Sequence, residues 1–327
     1  MNICFIDNTD FKYDGDSIYS HKLRGAESVI INLSKSLKNL GHKVSVINNC
    51  QISREINGVN WISIKSLKKI DEYDFTIANG DCRLFKYVKS NKNILFSHSL
   101  QSIEKFLRKG QLISYLKYKP KVCFLSSYHQ KNRSKLLYLF GSIHLRWSVD
   151  DLFLNTLPTN NTNNELAIFT SRPDRNLKML IDIWNELIIS KNEKLKLLVT
   201  ENDYSYDEKS IIQRSLGNQI KLKDDLLSAR LCLLPGHKAE LFCIAAEEAS
   251  ELCIPIVTLG IGSLAERVEH NISGFIAKNK FEYADYTLKL FSDDNLWQKQ
   301  RKNLFKRKKR NTWTKVAEDL IRQVIDL

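Results

Sequence analysis

Residues 231–276 read LCLLPGHKAELFCIAAEEASELCIPIVTLGIGSLAERVEHNISGFI, and this stretch decides the fold. An apolar run of strand length, 231–234, ends in Pro235-Gly236-His237; a helical stretch follows over 241–252, and a second apolar run covers 254–259. Strand, helix, strand is the unit of a sheet whose strands run parallel, because parallel neighbours need a crossover of about this length. Ligands in such sheets bind beyond the carboxyl ends of the strands. Glu240, before the helix, and Glu248, eight positions later inside it, are therefore placed to flank one ligand. The expected helix start at Leu241, Phe242 and Cys243 offers unpaired N–H groups and the positive end of the helix dipole to sugar hydroxyls or phosphate. His237 just past the strand, and the Gly262-Ser263 turn before the next helical segment, are further candidates for the lining.

Upstream the same alternation recurs. Strands are expected at 3–6, 43–47, 61–64, 75–78, 94–97, 122–126 and 144–146, with a helix over 26–40 closed by Gly41. The polar stretch TLPTNNTNN, 156–164, reads as a linker. Beyond it the reading gives strands at 166–170, 195–200, near 220 and 231–234, and helices over 177–189 and 208–216. The fold class is therefore α/β, with two Rossmann-like doubly wound parallel-sheet domains. The first covers 1–158, to which an amphipathic C-terminal helix, 312–327, returns; the second covers 159–311.

Composition bounds the rest. At 327 residues and 43% hydrophobic content the chain can build two cores, and 12 glycines with 5 prolines exclude collagen-like and low-complexity chains. Seven cysteines, scattered and never spaced as C-x-x-C, read as a reduced, cytoplasmic protein without a zinc ribbon. The N-terminus lacks a basic region followed by an apolar stretch, and no apolar run reaches the ~18 residues of a membrane span. The formal charge is +13, from 50 Lys and Arg against 37 Asp and Glu. The basic run 305–310 has no accompanying nucleic-acid motif, so a nucleic-acid partner is not expected. Lys105, Arg108, Lys109, Lys117, Lys119 and Lys121 suggest peripheral association with the anionic face of a membrane.

The composite of Glu240-x-Phe242, Glu248-Ala249, Pro255-Ile256-Val257, Gly262-Ser263-x-x-Glu266-x-Val268 and Gly274 resembles the nucleotide-sugar half of retaining glycosyltransferases of family 4, which have the GT-B fold. That family's usual pattern is E-x-F-G-x4-E-A, G-x-P-V-V, then G-G/S-x-x-E-x-V and a further glycine. Elsewhere Gly25-Ala26-Glu27 and Gly41-His42-x-Val44 resemble its first helix. His98 follows a strand where the family often carries a histidine, and Arg172 to Leu177 resembles the opening of its second domain. The departures are Arg24, Cys243, Cys253 and Ser148 at glycine positions, and Arg175-Asn176-Leu177 in place of Lys-Gly-Leu.

The resemblance implies two domains facing a central cleft and transfer of a sugar from a nucleoside diphosphate sugar to a hydroxyl acceptor, a glycan or glycolipid, without a metal or other cofactor. Arg172 and Arg175 would stabilise the leaving diphosphate, guanidinium forks matching phosphate oxygens. Glu240 would bind the sugar hydroxyls, Glu248 the ribose, and His98 a sugar hydroxyl or phosphate. Gly25, Gly262 and Arg24 would lie against the ligand. Asp14-Gly15-Asp16 has the letters of a metal motif but lies in an N-terminal loop, so no metal ligand is assigned. The alternatives are a sugar-nucleotide epimerase or hydrolase on the same fold, or an inactive sugar-nucleotide-binding homologue.

Overall fold

A computed structural model describes residues 1–326 except 21, 22, 68, 69, 101, 160, 161 and 216. The chain forms two compact units, Met1–Ser148 with Trp313–Leu327, and Val149–Thr312.

The first unit is built on eight strands: β1 (Asn2–Ile6), β2 (Lys43–Asn48), β3 (Arg54–Ile56), β4 (Val59–Ser63), β5 (Glu72–Asn79), β6 (Lys89–Phe96), β7 (Lys121–Phe124) and β8 (Ser142–His144), in the order β3-β4-β2-β1-β5-β6-β7-β8. All pairings are parallel except β3 with β4. Central strands are buried on both faces, which is why β1 reads as an unbroken apolar run rather than an alternation. The β3–β4 hairpin turns on Asn57-Gly58, both with positive φ (51° and 74°), the conformation a two-residue turn demands.

The Gly25–Asn39 helix ends in a Schellman motif: the Gly41 N–H donates to the Lys38 carbonyl and the His42 N–H to that of Leu37. The Trp313–Ile325 helix packs on it through an apolar face that includes Trp313, Val316, Leu320 and Val324. Lys92 and Gln323 fasten that helix to the sheet through Val324 and His144.

The second unit has six parallel strands, β9 (Asn163–Ile168), β10 (Lys196–Thr200), β11 (Ile211–Arg214), β12 (Ala229–Leu233), β13 (Ile256–Thr258) and β14 (Gly274–Ile276), ordered β11-β10-β9-β12-β13-β14. Counted within the unit this is 3-2-1-4-5-6, the Rossmann order, and the direction of winding reverses between β9 and β12. The doubly wound α/β class read from the sequence is the one observed. Among the described residues no helix is long and apolar enough to cross a membrane.

Four expectations differ from the structure. The helix expected over 208–216 is instead strand β11, and the strand expected near 220 is the Gln219–Ser228 helix. Ile211 is buried in the second core, Arg214 is buried and pairs with Asp225 of the following helix, and Asn218 caps that helix by accepting from the Lys221 N–H. Residue 216, in the first of these segments, lies outside the described residues. The division between units falls at 148/149 rather than 158, because Val149, Phe153 and Leu154 belong to the second core. The helix expected from Leu241 begins at Ile244.

Gly41 has φ +87° and open space where a Cβ would stand, so Gly41→Ala tests backbone strain alone. The expected loss is about 1 kcal/mol of stability in urea unfolding. An unchanged midpoint would show that the helix end relaxes freely.

Candidate functional site

The candidate site of the second unit forms where the strand order reverses. Past β9 the chain runs Phe169-Thr170-Ser171-Arg172; past β12 it runs Leu234-Pro235-Gly236-His237. The two ends are tied together: Asn176 Nδ2 donates to the Gly236 carbonyl, and Ser171 Oγ donates to Glu240 Oε1 at 3.2 Å. Cys243 Sγ lies 3.6 Å from the same carboxylate oxygen. Glu240 is only 8% exposed. Burial raises its pKa, opposed first by the charge of Arg175 and then by the Ser171 and Cys243 contacts.

The Glu240 loop is held by its neighbour in the sheet. The Glu240 N–H donates to the His237 carbonyl, and the Ser263 N–H donates to the Glu240 carbonyl at 3.0 Å. A Cβ on Gly262, φ +74°, would come within 2.4 Å of the His237 carbonyl oxygen and 2.9 Å of that of Glu240. What Gly262 admits is therefore protein backbone, which sets the position of Glu240. His237 is half-buried, its Nδ1 accepting from the Ala239 N–H. Leu241 and Phe242 are buried; Arg267 lies over the Phe242 ring at 4.3 Å and pairs with Glu247 at 2.8 Å. That pairing separates adjacent acids on the Ile244–Glu251 helix: Glu247 is committed to Arg267, while Glu248 is buried with no hydrogen bond to its carboxylate among the described residues. Desolvation raises the Glu248 pKa to about 7, against the lowering effect of Arg214 and with a smaller push from Asp150.

The two arginines differ. Arg172 is largely exposed and Arg175 largely covered, yet both bind Asp174, Arg172 through Nε (3.0 Å) and Nη2 (2.6 Å), Arg175 through Nη1 (2.8 Å). Arg175 is the one whose charge reaches Glu240. Asn176 takes the left-handed conformation (φ 64°) at the position of the family's glycine, as do Cys243 (60°) and Cys253 (59°). All seven cysteines are buried free thiols.

In the first unit, His98 follows β6 and meets Asn79, the last residue of β5, through an Nε2 to Oδ1 hydrogen bond. With the amide oxygen accepting, Nε2 carries the proton and Nδ1 presents a lone pair. Desolvation lowers the His98 pKa to about 4, so the ring is neutral at pH 7. Arg24 is the exposed N-cap of the Gly25–Asn39 helix, at an ordinary φ of −85°. The charge of Arg24 reaches Glu27, whose buried carboxylate accepts from Thr9 Oγ1 through Oε1 and has no partner at Oε2. Beside it Asp7, at the end of β1, accepts from Tyr13 Oη at 2.8 Å. Asn79, Asp7 and Asp174 were not among the residues expected from sequence; their signal is position alone, at the last residue of a strand, just past one, or between two arginines. Asp14 and Asp16 both pair with Arg54.

Comparison with known proteins agrees with this fold. Three solved structures share the fold end to end. HepE from Anabaena, solved with UDP-glucose, has a TM-score of 0.73 at 14% identity, covering 100% of both chains. Sucrose-phosphate synthase from Thermosynechococcus elongatus gives 0.72 at 13%, covering 99% of each. WaaG, a glycosyltransferase involved in lipopolysaccharide biosynthesis, gives 0.66 at 12%, covering 98% of this chain and 99% of its own. No curated protein sequence matches the chain. The architecture is that of the GT-B transferases. Residues 159–310, nearly the whole of the second unit, match the family described as Glycosyl transferases group 1.

Glu248 gives this site a pH signature. Its folded pKa of about 7 lies above the ordinary 4.5, so the folded state keeps the proton longer than the unfolded chain. Its contribution to stability is intact below about pH 4.5 and falls as pH rises through 7, by roughly 3 kcal/mol in all. Glu248→Gln should therefore match the parent near pH 4 and exceed it at pH 8 in denaturant melts. An equal gap at both pH values would show that the carboxylate is not desolvated.

Proposed function

We propose that the chain is a retaining, family 4 type transferase that moves a sugar from a nucleoside diphosphate sugar to a hydroxyl acceptor, a glycan or glycolipid, without a metal. The observation that carries this is the buried Glu240, fixed at the switch point of a Rossmann sheet within electrostatic reach of Arg175. A carboxylate so placed binds hydroxyls and favours positive charge at the anomeric carbon; the arginines favour negative charge on the leaving diphosphate. That HepE was solved with UDP-glucose supports a UDP sugar as the first donor to try.

In the second unit Glu248, unpaired on its helix, binds the ribose hydroxyls. Asp174 holds both guanidinium groups in the free protein, and the diphosphate takes its place. The pair then supplies the positive charge that a divalent cation would otherwise supply. The anomeric bond to the phosphate oxygen breaks, the acceptor oxygen bonds on the same face, and its proton passes to the leaving phosphate. In the first unit His98 accepts a hydroxyl hydrogen bond at Nδ1.

A thermal-shift panel of nucleoside diphosphates and their sugars tests donor binding, and the shift should vanish in Glu248→Ala. Glu240→Gln should lower kcat by roughly 100-fold, the scale of losing one transition-state hydrogen-bonding group, with donor binding retained. Free nucleoside diphosphate released equally fast with and without acceptor would overturn the transferase in favour of a hydrolase or epimerase. A shift without transfer to any acceptor would leave an inactive sugar-nucleotide-binding homologue, and a panel without any shift would overturn donor binding altogether.

Work at an anionic membrane surface fits the same chain. On the first unit Ile103, Leu107, Ile113 and Leu116 are exposed beside Arg108, Lys117 and Lys119, apolar residues within a basic surround. Sedimentation should show binding to phosphatidylglycerol vesicles but not to phosphatidylcholine, weakened by Ile113→Glu. Equal recovery with both lipids would remove the membrane reading.

A further inference from the structure

A cavity of about 230 Å³ opens in the first unit beyond the carboxyl ends of β5 and β6. It is lined by Gly80, His98, Ser99, Lys105, Phe106, Lys109 and Gln111. Its polar groups divide sharply. Gln111 is buried and spent on the backbone, its Oε1 accepting from the Cys82 N–H and its Nε2 donating to the Gly80 carbonyl. His98 is neutral and offers only an acceptor. Lys105 and Lys109 are the cations of the lining, one helical turn apart on the same face. Neither lysine makes an ion pair or side-chain hydrogen bond among the described residues. Lys105 is half-buried, and desolvation together with the charges of Lys109 and Arg108 lowers its pKa.

Two adjacent ammonium groups facing a small cavity without a counter-charge are mutually repulsive when it is empty, and an anion relieves the repulsion. A carboxylate neutralises one of them. A phosphate monoester, at close to −2, neutralises both and has terminal oxygens enough for two lysines. The volume is below the ~300 Å³ at which pockets begin to enclose whole drug-sized ligands, so it takes a group of a larger molecule.

We propose that this cavity seats the phosphate monoester of the acceptor, Lys105 and Lys109 binding the phosphate and His98 Nδ1 receiving a neighbouring hydroxyl. The acceptor class is thereby a phosphate-bearing alcohol, either a soluble phosphate ester or a lipid with a phosphomonoester headgroup. This rests on the transferase reading, which makes the second unit the donor side and leaves the first to the acceptor.

The test is calorimetric titration of the full chain, first with UDP alone, then with UDP at saturation so that the arginines of the second unit are occupied. Inorganic phosphate, glycerol 3-phosphate and dihexanoyl phosphatidic acid, below its micelle concentration, are the probes. Saturable binding of glycerol 3-phosphate is expected, weakened at least tenfold in Lys105→Gln/Lys109→Gln and by less than twofold in Arg108→Gln. The short-chain lipid binding at least tenfold tighter than glycerol 3-phosphate would support the lipid source; equal binding would support the soluble ester. No saturable binding by any probe, or equal binding by the double variant, would overturn the inference while UDP binding left the donor reading standing. Phosphate-ester binding by a chain that takes up no nucleotide would overturn the acceptor assignment together with the transferase.

Discussion

The close approach of the 236–240 backbone to Gly262 is the constraint on which the candidate site depends. A side chain at 262 would run into the carbonyls of His237 and Glu240, and one at 236 would meet the Ile261 carbonyl at 2.6 Å. Two loops leaving adjacent parallel strands thus share one layer of backbone, and the Ser263 N–H closes it by binding the Glu240 carbonyl. Glu240 can then be buried at a fixed place, with Ser171 arriving from β9 on the other side of the switch point. Position here comes from the sheet, and the side chains inherit it.

The electrostatics follow from that packing. Glu240 and Glu248 are both desolvated, and burial alone would favour the neutral acid in each. Arg175, Ser171 and Cys243 oppose that effect at Glu240, whereas Glu248 has only the more remote charge of Arg214, itself engaged with Asp225. The free protein thus holds an uncompensated carboxyl on the Ile244–Glu251 helix and, past β9, a pair of arginines bound to a carboxylate of their own chain. Under the proposed function, a ligand bringing hydroxyls to the first and a diphosphate to the second would satisfy both at once.

Much of this was legible in the residues. Strand-helix alternation gives the parallel sheets because buried parallel strands are apolar throughout, and the 231–276 stretch marks the switch point of the second sheet because its glycines are tied to backbone geometry. The segment 208–220 was misread for a physical reason. Ile211-Ile212 sits equally well on a helix face or in a strand; burial of Ile211 and Arg214 and the Asn218 cap decide it, and only the first depends on tertiary contacts. The Asn57-Gly58 hairpin was not among the expectations, although that dipeptide favours the positive φ values it adopts. The pairing of both arginines with Asp174, and of Glu247 with Arg267, are distances between side chains that no periodicity encodes.

The departures from the family pattern also change their meaning. Asn176, Cys243 and Cys253 stand at glycine positions and keep the left-handed backbone that glycine serves there. At Cys253 the reason is visible: it is the C′ residue of a Schellman motif, its N–H bonding the Ser250 carbonyl and that of Ile254 the Ala249 carbonyl. A non-glycine residue in that region costs about 1–2 kcal/mol, and it is held there because the helix end and the following strand over-determine the turn. Arg24 is the contrasting case. Its φ of −85° asks nothing of glycine, so the substitution changes the charge at the helix start and leaves the backbone path alone. Loss of the glycine letters is therefore not loss of the site's geometry. Cys243 keeps the turn that presents Glu240 and sets its own thiol 3.6 Å from the carboxylate. The thiol's pKa is driven up by burial and by that same charge, so it stays protonated and serves as a weak donor to the acid it helps to position.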